Sequence, residues 1–93
     1  MKAKYELTLV LPADNKQIIA EIQKLVKDFV VKAKGKIEQE KSWGVKELAY
    51  PIQKQTKGLY HFYLLELDAN QQPKLHRLLN LQENLLRYLF VRV

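Results

Sequence analysis

The stretch Leu59–Leu67, LYHFYLLEL, is apolar on both of its faces except at His61 and Glu66. A short apolar run of this kind suits a strand with neighbours on both edges of a sheet. Glu66 marks the face it shares with Tyr60, Phe62 and Leu64 as the open one. Leu59, His61, Tyr63, Leu65 and Leu67 are then expected to face the helices, because successive strand residues point to opposite sides. Upstream, residues 36–49, KIEQEKSWGVKELA, are polar and alternate weakly. They read as an edge strand, whose lysines and glutamates discourage uncontrolled pairing. Ile37, Trp43 and Val45 share one parity and Leu48 the other, which predicts a bulge or twist near Gly44. Between the two strands, QKQTKG (53–58) reads as the turn, with Gly58 there to take a positive φ if one is needed.

Farther out, residues 4–11, KYELTLVL, alternate cleanly: Tyr5, Leu7, Leu9 and Leu11 share one face, and Pro12 ends the strand. Asp14 is the expected N-cap of a helix, with Gln17 three residues on as its capping-box partner. Ile18, Ile22, Leu25, Phe29 and Ala33 recur at helical spacing, and Gly35 is placed to stop the helix in a left-handed conformation. After the central run, Asn70 can cap a second helix with Pro73 in its first turn. Leu75, Leu78 and Leu79 form its stripe, with Leu81 near the edge. Asn84 marks a turn before a last strand in LLRYLFVRV (85–93).

The order strand, helix, strand, strand, helix, strand is the split βαβ pattern. It predicts an α+β, ferredoxin-like fold (βαββαβ): a four-stranded antiparallel sheet with two helices on one face, the first and third strands central. Ninety-three residues suffice for one domain, expected over residues 1–93. Cysteine is absent, which removes disulfides, thiolate metal sites and cysteine nucleophiles together. The N-terminus, MKAKYELTLVLPAD, has no apolar signal core, and no run approaches the ~20 apolar residues that span a bilayer. A cytoplasmic protein, or one inside an organelle, is expected.

Catalysis is not expected. Two histidines, His61 and His76, lie far apart in the chain with no carboxylate at ligand spacing. Glu38 and Glu40 on one strand face, and Glu66 and Asp68 on another, read as solvated pairs rather than an acid–base couple. No nucleophile–base signature, glycine-rich phosphate loop, metal set or cofactor motif is present, so no cofactor, metal or small-molecule substrate is expected. Acylphosphatases share the topology but need an arginine-bearing anion loop after the first strand; here that loop is LPADN.

The net charge is +6 and the pI about 9.6, which favours an anionic partner, nucleic acid first. Two RNA-binding readings fit the fold. An RNA-recognition motif needs ring-bearing residues after a Lys-Gly pair in its third strand. KGLYHFYL (57–64) offers Lys57 and Gly58, then Leu59 and His61 where aromatics are wanted, on the face predicted to meet the helices. The other reading rests on the hairpin from Gly44 to Gly58. Gly44, Lys46, Leu48-Ala49-Tyr50-Pro51-Ile52, Lys54 and Gly58 together resemble the signature of the sixth small-subunit ribosomal protein family of bacteria and organelles. Tyr5-Glu6 and ENLLR (83–87) agree with it; Glu47 departs from it, standing where a second basic residue is common.

That resemblance implies a ribosomal structural protein, not an enzyme. It would bind the central domain of small-subunit ribosomal RNA together with the eighteenth small-subunit protein, which packs against the sheet side. Lys2, Lys4, Lys46, Lys54, Lys57, Arg87 and Arg92 are the candidate RNA contacts, acting by phosphate neutralisation. Trp43, Leu48, Tyr50, Ile52, Tyr60 and Phe62 are the candidate contacts to the partner protein, where aromatic anchors dominate. Lys24, Lys27 and Lys32 read as solvated charges on the outer face of the first helix.

Overall fold

In the computed structural model, which describes residues 2–93, the alternation read from residue 4 extends over β1, Lys2–Pro12. It is followed by α1 (Lys16–Lys32), β2 (Lys36–Ile52), β3 (Gln55–Asp68), α2 (Gln72–Asn80) and β4 (Arg87–Arg92). The strands form one antiparallel sheet in the order β2-β3-β1-β4, so the ferredoxin-like arrangement expected from the sequence is the one found. β1 and β3 are central. Tyr5, Leu7, Leu9 and Leu11 of β1 join Tyr63, Leu65 and Leu67 of β3 in the core, under Ile22, Val26 and Val30 of α1 and Leu75 and Leu79 of α2. Both helices therefore cover the same face, and the parity read from Glu66 is correct.

The helix ends differ in detail from the sequence reading. Asn15, not Asp14, caps α1: its side-chain oxygen accepts from the Ile18 amide at 3.1 Å, satisfying one donor that the first turn leaves unpaired. Gln17 bonds to Glu21 rather than back to the cap. At the other end the amides of Lys34 and Gly35 bond to the carbonyls of Val31 and Val30, a Schellman closure. The left-handed residue is Lys34, φ 58°, not Gly35. Gly35 is required for another reason: a Cβ there would fall 2.6 Å from the Glu66 carbonyl oxygen. α2 begins after Gln71, without a side-chain cap from Asn70, and Leu81 is exposed just past its end.

The β2–β3 hairpin closes in a tighter turn than expected. Ile52 pairs with Gln55, and Gln53 and Lys54 both take positive φ (50° and 64°), as a two-residue primed turn demands. Gly58 lies inside β3, buried, where a Cβ would come within 2.5 Å of Val10 Cγ1. Close strand packing, not turn geometry, selects that glycine. The bulge predicted near Gly44 is present: the register shifts between Ser42 and Gly44, and Gly44 has φ 82°.

Candidate functional site

Strand register lays out the uncovered face of the sheet in rows. Gly44, Tyr60, Val10 and Arg87 form the row nearest the hairpin; Lys41, Phe62, Thr8 and Leu89 form the next, and Gln39, Leu64, Glu6 and Val91 the one after. Trp43 is the extra residue of the β2 bulge. A bulge bends its strand and re-aims a side chain, and here the indole stacks on Phe62 with centroids 5.1 Å apart and planes 10° from parallel. The ammonium of Lys46 sits 5.6 Å from the Trp43 ring and 5.5 Å from the Tyr60 ring. Together with Leu89 and Val91 these rings line a shallow, mostly apolar groove. Trp43 is 46% exposed, Leu89 62% and Val91 41%, a concentration of uncovered apolar surface on one face. Leu89 and Val91 were not singled out from the sequence. Their alternation in RYLFVR held the signal, but only pairing with β1 tells which parity is uncovered.

Beyond Gly58 the hairpin outruns β1, whose last paired residue is Pro12. Residues 47–57 thus form an arm that projects from the sheet. Leu48 and Ile52 are half-buried within it, and Leu48 lies against Gly58. Tyr50 is 52% exposed; its hydroxyl accepts a hydrogen bond from Arg87 Nη2, and the guanidinium lies 5.3 Å from its ring centroid. At the tip, Gln53 Nε2 donates to the Glu83 carbonyl at 2.8 Å.

The seven cations read as RNA contacts fall into two groups. Lys46, Lys54, Lys57 and Arg87 lie at the hairpin end; Lys2, Lys4 and Arg92 lie at the other, where the register pairs Lys2 with Asp68, Lys4 with Glu66 and Arg92 with Tyr5. Six residue steps along β1 lead from Lys4 to Val10, roughly 20 Å at ~3.3 Å per step. That exceeds the ~8 Å screening length at physiological salt, so the two groups act as separate patches. Several are already engaged. Lys4 pairs with Glu38 at 3.3 Å, and Lys2 donates to the Lys34 carbonyl at 3.2 Å. Lys54, at the turn, and Lys57, beside it, are exposed.

On the covered face, His61 is buried and its Nε2 lies 2.8 Å from Glu40 Oε2. Spacing along the chain gives His61 no carboxylate partner, because this one comes from the neighbouring strand, 21 residues away. Strand alternation alone would put Glu38 and Glu40 on one face. The register shift between Ile37 and Gln39 separates them: Glu38 reaches Lys4 and Glu40 reaches His61. The Tyr63 hydroxyl is buried without a partner, and that burial, aided by the Glu40 charge, raises its pKa and keeps it neutral. Among the described residues no cluster of His, Asp or Glu is placed to hold a metal ion, and no described helix is long and apolar enough to cross a membrane.

The sequence matches the family model for ribosomal protein S6 over residues 4–92. A small ribosomal subunit protein bS6 of Geobacter metallireducens is 32% identical over 94 aligned positions, spanning 100% of this chain and 80% of the relative. Its counterpart in Corynebacterium kroppenstedtii is 34% identical over 84 positions, 89% of this chain and 88% of the relative. Among solved structures, the 30S ribosomal protein S6 of Thermotoga maritima superposes with a TM-score of 0.87 over 100% of this chain and 89% of that one. At 21% identity, that last likeness is one of fold.

Proposed function

The chain belongs to the ribosomal protein S6 family and is a non-enzymatic, structural constituent of the small ribosomal subunit; from that premise we propose that it binds small-subunit ribosomal RNA jointly with the eighteenth small-subunit protein. The observation that carries this reading is the uncovered face: Trp43 stacked on Phe62, beside exposed Leu89 and Val91, with cations at both ends of the sheet. Apolar surface rich in aromatic rings suits a protein partner, whose contact would desolvate those rings. Lys46, Lys54 and Lys57 at the hairpin end form the principal phosphate patch, and Lys2, Lys4 and Arg92 a second one. Such contacts release counterions and set orientation more than sequence preference.

A free-standing module of the RNA-recognition type is less well supported. Its stacking positions would include Leu59 and His61, and the His61 ring is buried on the helix side. The two readings separate in one experiment. Binding of a central-domain ribosomal RNA fragment is measured with and without the eighteenth protein, over a range of salt. Weak binding alone and tight, salt-sensitive binding with the partner is the expected result. Tight binding of short single strands by the protein alone would overturn it.

A further inference from the structure

Arg87 stands among the cations that the sequence assigns to phosphate, yet its surroundings give it different work. The arm 47–57 has little support of its own. Its ladder loses register between Glu47 and Ile52, Pro51 has no amide to donate, and no β1 residue runs beside it past Gly58. Its turn holds two non-glycine residues at positive φ, a conformation uncommon for such side chains. The contacts that tie it down come from the segment joining α2 to β4 and from the first residue of β4. The Glu83 carbonyl accepts from Gln53 across 30 residues, and Arg87 bonds the Tyr50 hydroxyl across 37 while its guanidinium faces the Tyr50 ring. A planar guanidinium can satisfy a hydroxyl and face a ring at once, which an ammonium cannot reproduce. Arg87 also pairs with Val10 on the open face and lines the apolar groove beside Tyr60 and Trp43.

We propose that Arg87 is a positioning residue: through Tyr50 it latches the hairpin arm, and the same contact holds Arg87 in place in the wall of the groove that receives the partner protein. The identity of the groove's occupant rests on the reading above, but the latch does not, and it is tested on the free protein. Amide hydrogen exchange is followed in the arm and, as a control, at Leu7 and Leu65 in the wild type and in Arg87→Met, Arg87→Lys, Tyr50→Phe and the Arg87→Met/Tyr50→Phe double variant. Losing an exposed hydrogen bond and a cation–π contact should speed local opening of the arm roughly fivefold. Exchange at Leu7 and Leu65 should not change. The double variant should be no faster than the faster single variant, because the two side chains act as one contact. Arg87→Lys should not restore protection. Binding of the partner protein should weaken in step with arm opening, while the salt dependence of binding to the ribosomal RNA fragment stays as in the wild type.

Unchanged arm exchange in Arg87→Met overturns the latch. So does full function in Arg87→Lys combined with a salt slope shallower by about one in Arg87→Met, the signature of a lost phosphate contact. If the arm responds as expected but the wild-type protein does not bind the partner, the latch is upheld and the proposed occupant of the groove fails.

Discussion

β3 carries apolar side chains on both of its faces, and the fold treats the two faces in opposite ways. Toward the helices, Leu65 and Leu67 are fully buried and Tyr63 nearly so. Toward the other side, Tyr60, Phe62 and Leu64 are only half-buried, and their neighbours Trp43, Leu89 and Val91 stand open to solvent. Similar side chains therefore serve different ends. The covered face removes apolar area from water on folding and supplies stability. The open face leaves that area uncovered in the free chain, so its burial can only contribute on association. A wet apolar face costs solubility unless charge surrounds it, and here Glu6, Lys41 and Arg87 lie in the same rows and Lys4 and Glu66 in the next one.

Three substitutions would break or sharpen this contrast. Leu65→Ala, on the covered face, should cost about 2–5 kcal/mol, because a fully buried leucine leaves a cavity that its surroundings only partly fill. Chemical denaturation reads this directly, and a loss under ~1 kcal/mol would mean that the face is not close-packed. Phe62→Ala, on the open face, should remove about 1 kcal/mol of stability through the lost stack with Trp43. Its larger effect should be on association, with partner affinity falling by about 2 kcal/mol or more in a calorimetric titration. Should Phe62→Ala instead destabilise as much as Leu65→Ala and bind normally, the functional division between the faces would collapse. Lys54→Ala, at the arm's tip, should shift stability by less than ~0.5 kcal/mol. It should also reduce by about one the slope of log affinity for the ribosomal RNA fragment against log salt. An unchanged slope removes Lys54 from the phosphate contacts.

Much of the frame was legible in the chain. One charged residue, Glu66, sufficed to tell the two faces of β3 apart, since parity within an unbroken strand cannot change. The aromatic residues Tyr60 and Phe62 were placed on the open face from that inference alone. β2 was harder, because three register shifts inside it each reverse parity. Glu38 and Glu40 therefore separate, and Trp43 swings over Phe62, although simple counting along the strand groups them otherwise. The three glycines show the same limit. Only Gly44 holds a positive φ; Gly35 and Gly58 are glycines because another strand's atoms occupy the space of a Cβ. From sequence, the visible reasons were local ones: a helix stop at Gly35, a bulge near Gly44 and a turn at Gly58.

Local periodicity by itself determined the number, order and type of the elements, which strands are central, and which face of β3 meets the helices. These follow from side-chain spacing along a few residues, a property the chain carries before it folds. Tertiary structure decided what depends on distant partners. It set Asn15 rather than Asp14 as the cap and turned Lys34 left-handed to let Gly35 pass Glu66. It gave His61 its carboxylate from β2, divided seven cations between two ends of a sheet, and engaged Arg87 with Tyr50. Each of those outcomes joins residues through a bulge, a crossover or a neighbouring strand, and spacing along the chain does not encode where such partners meet.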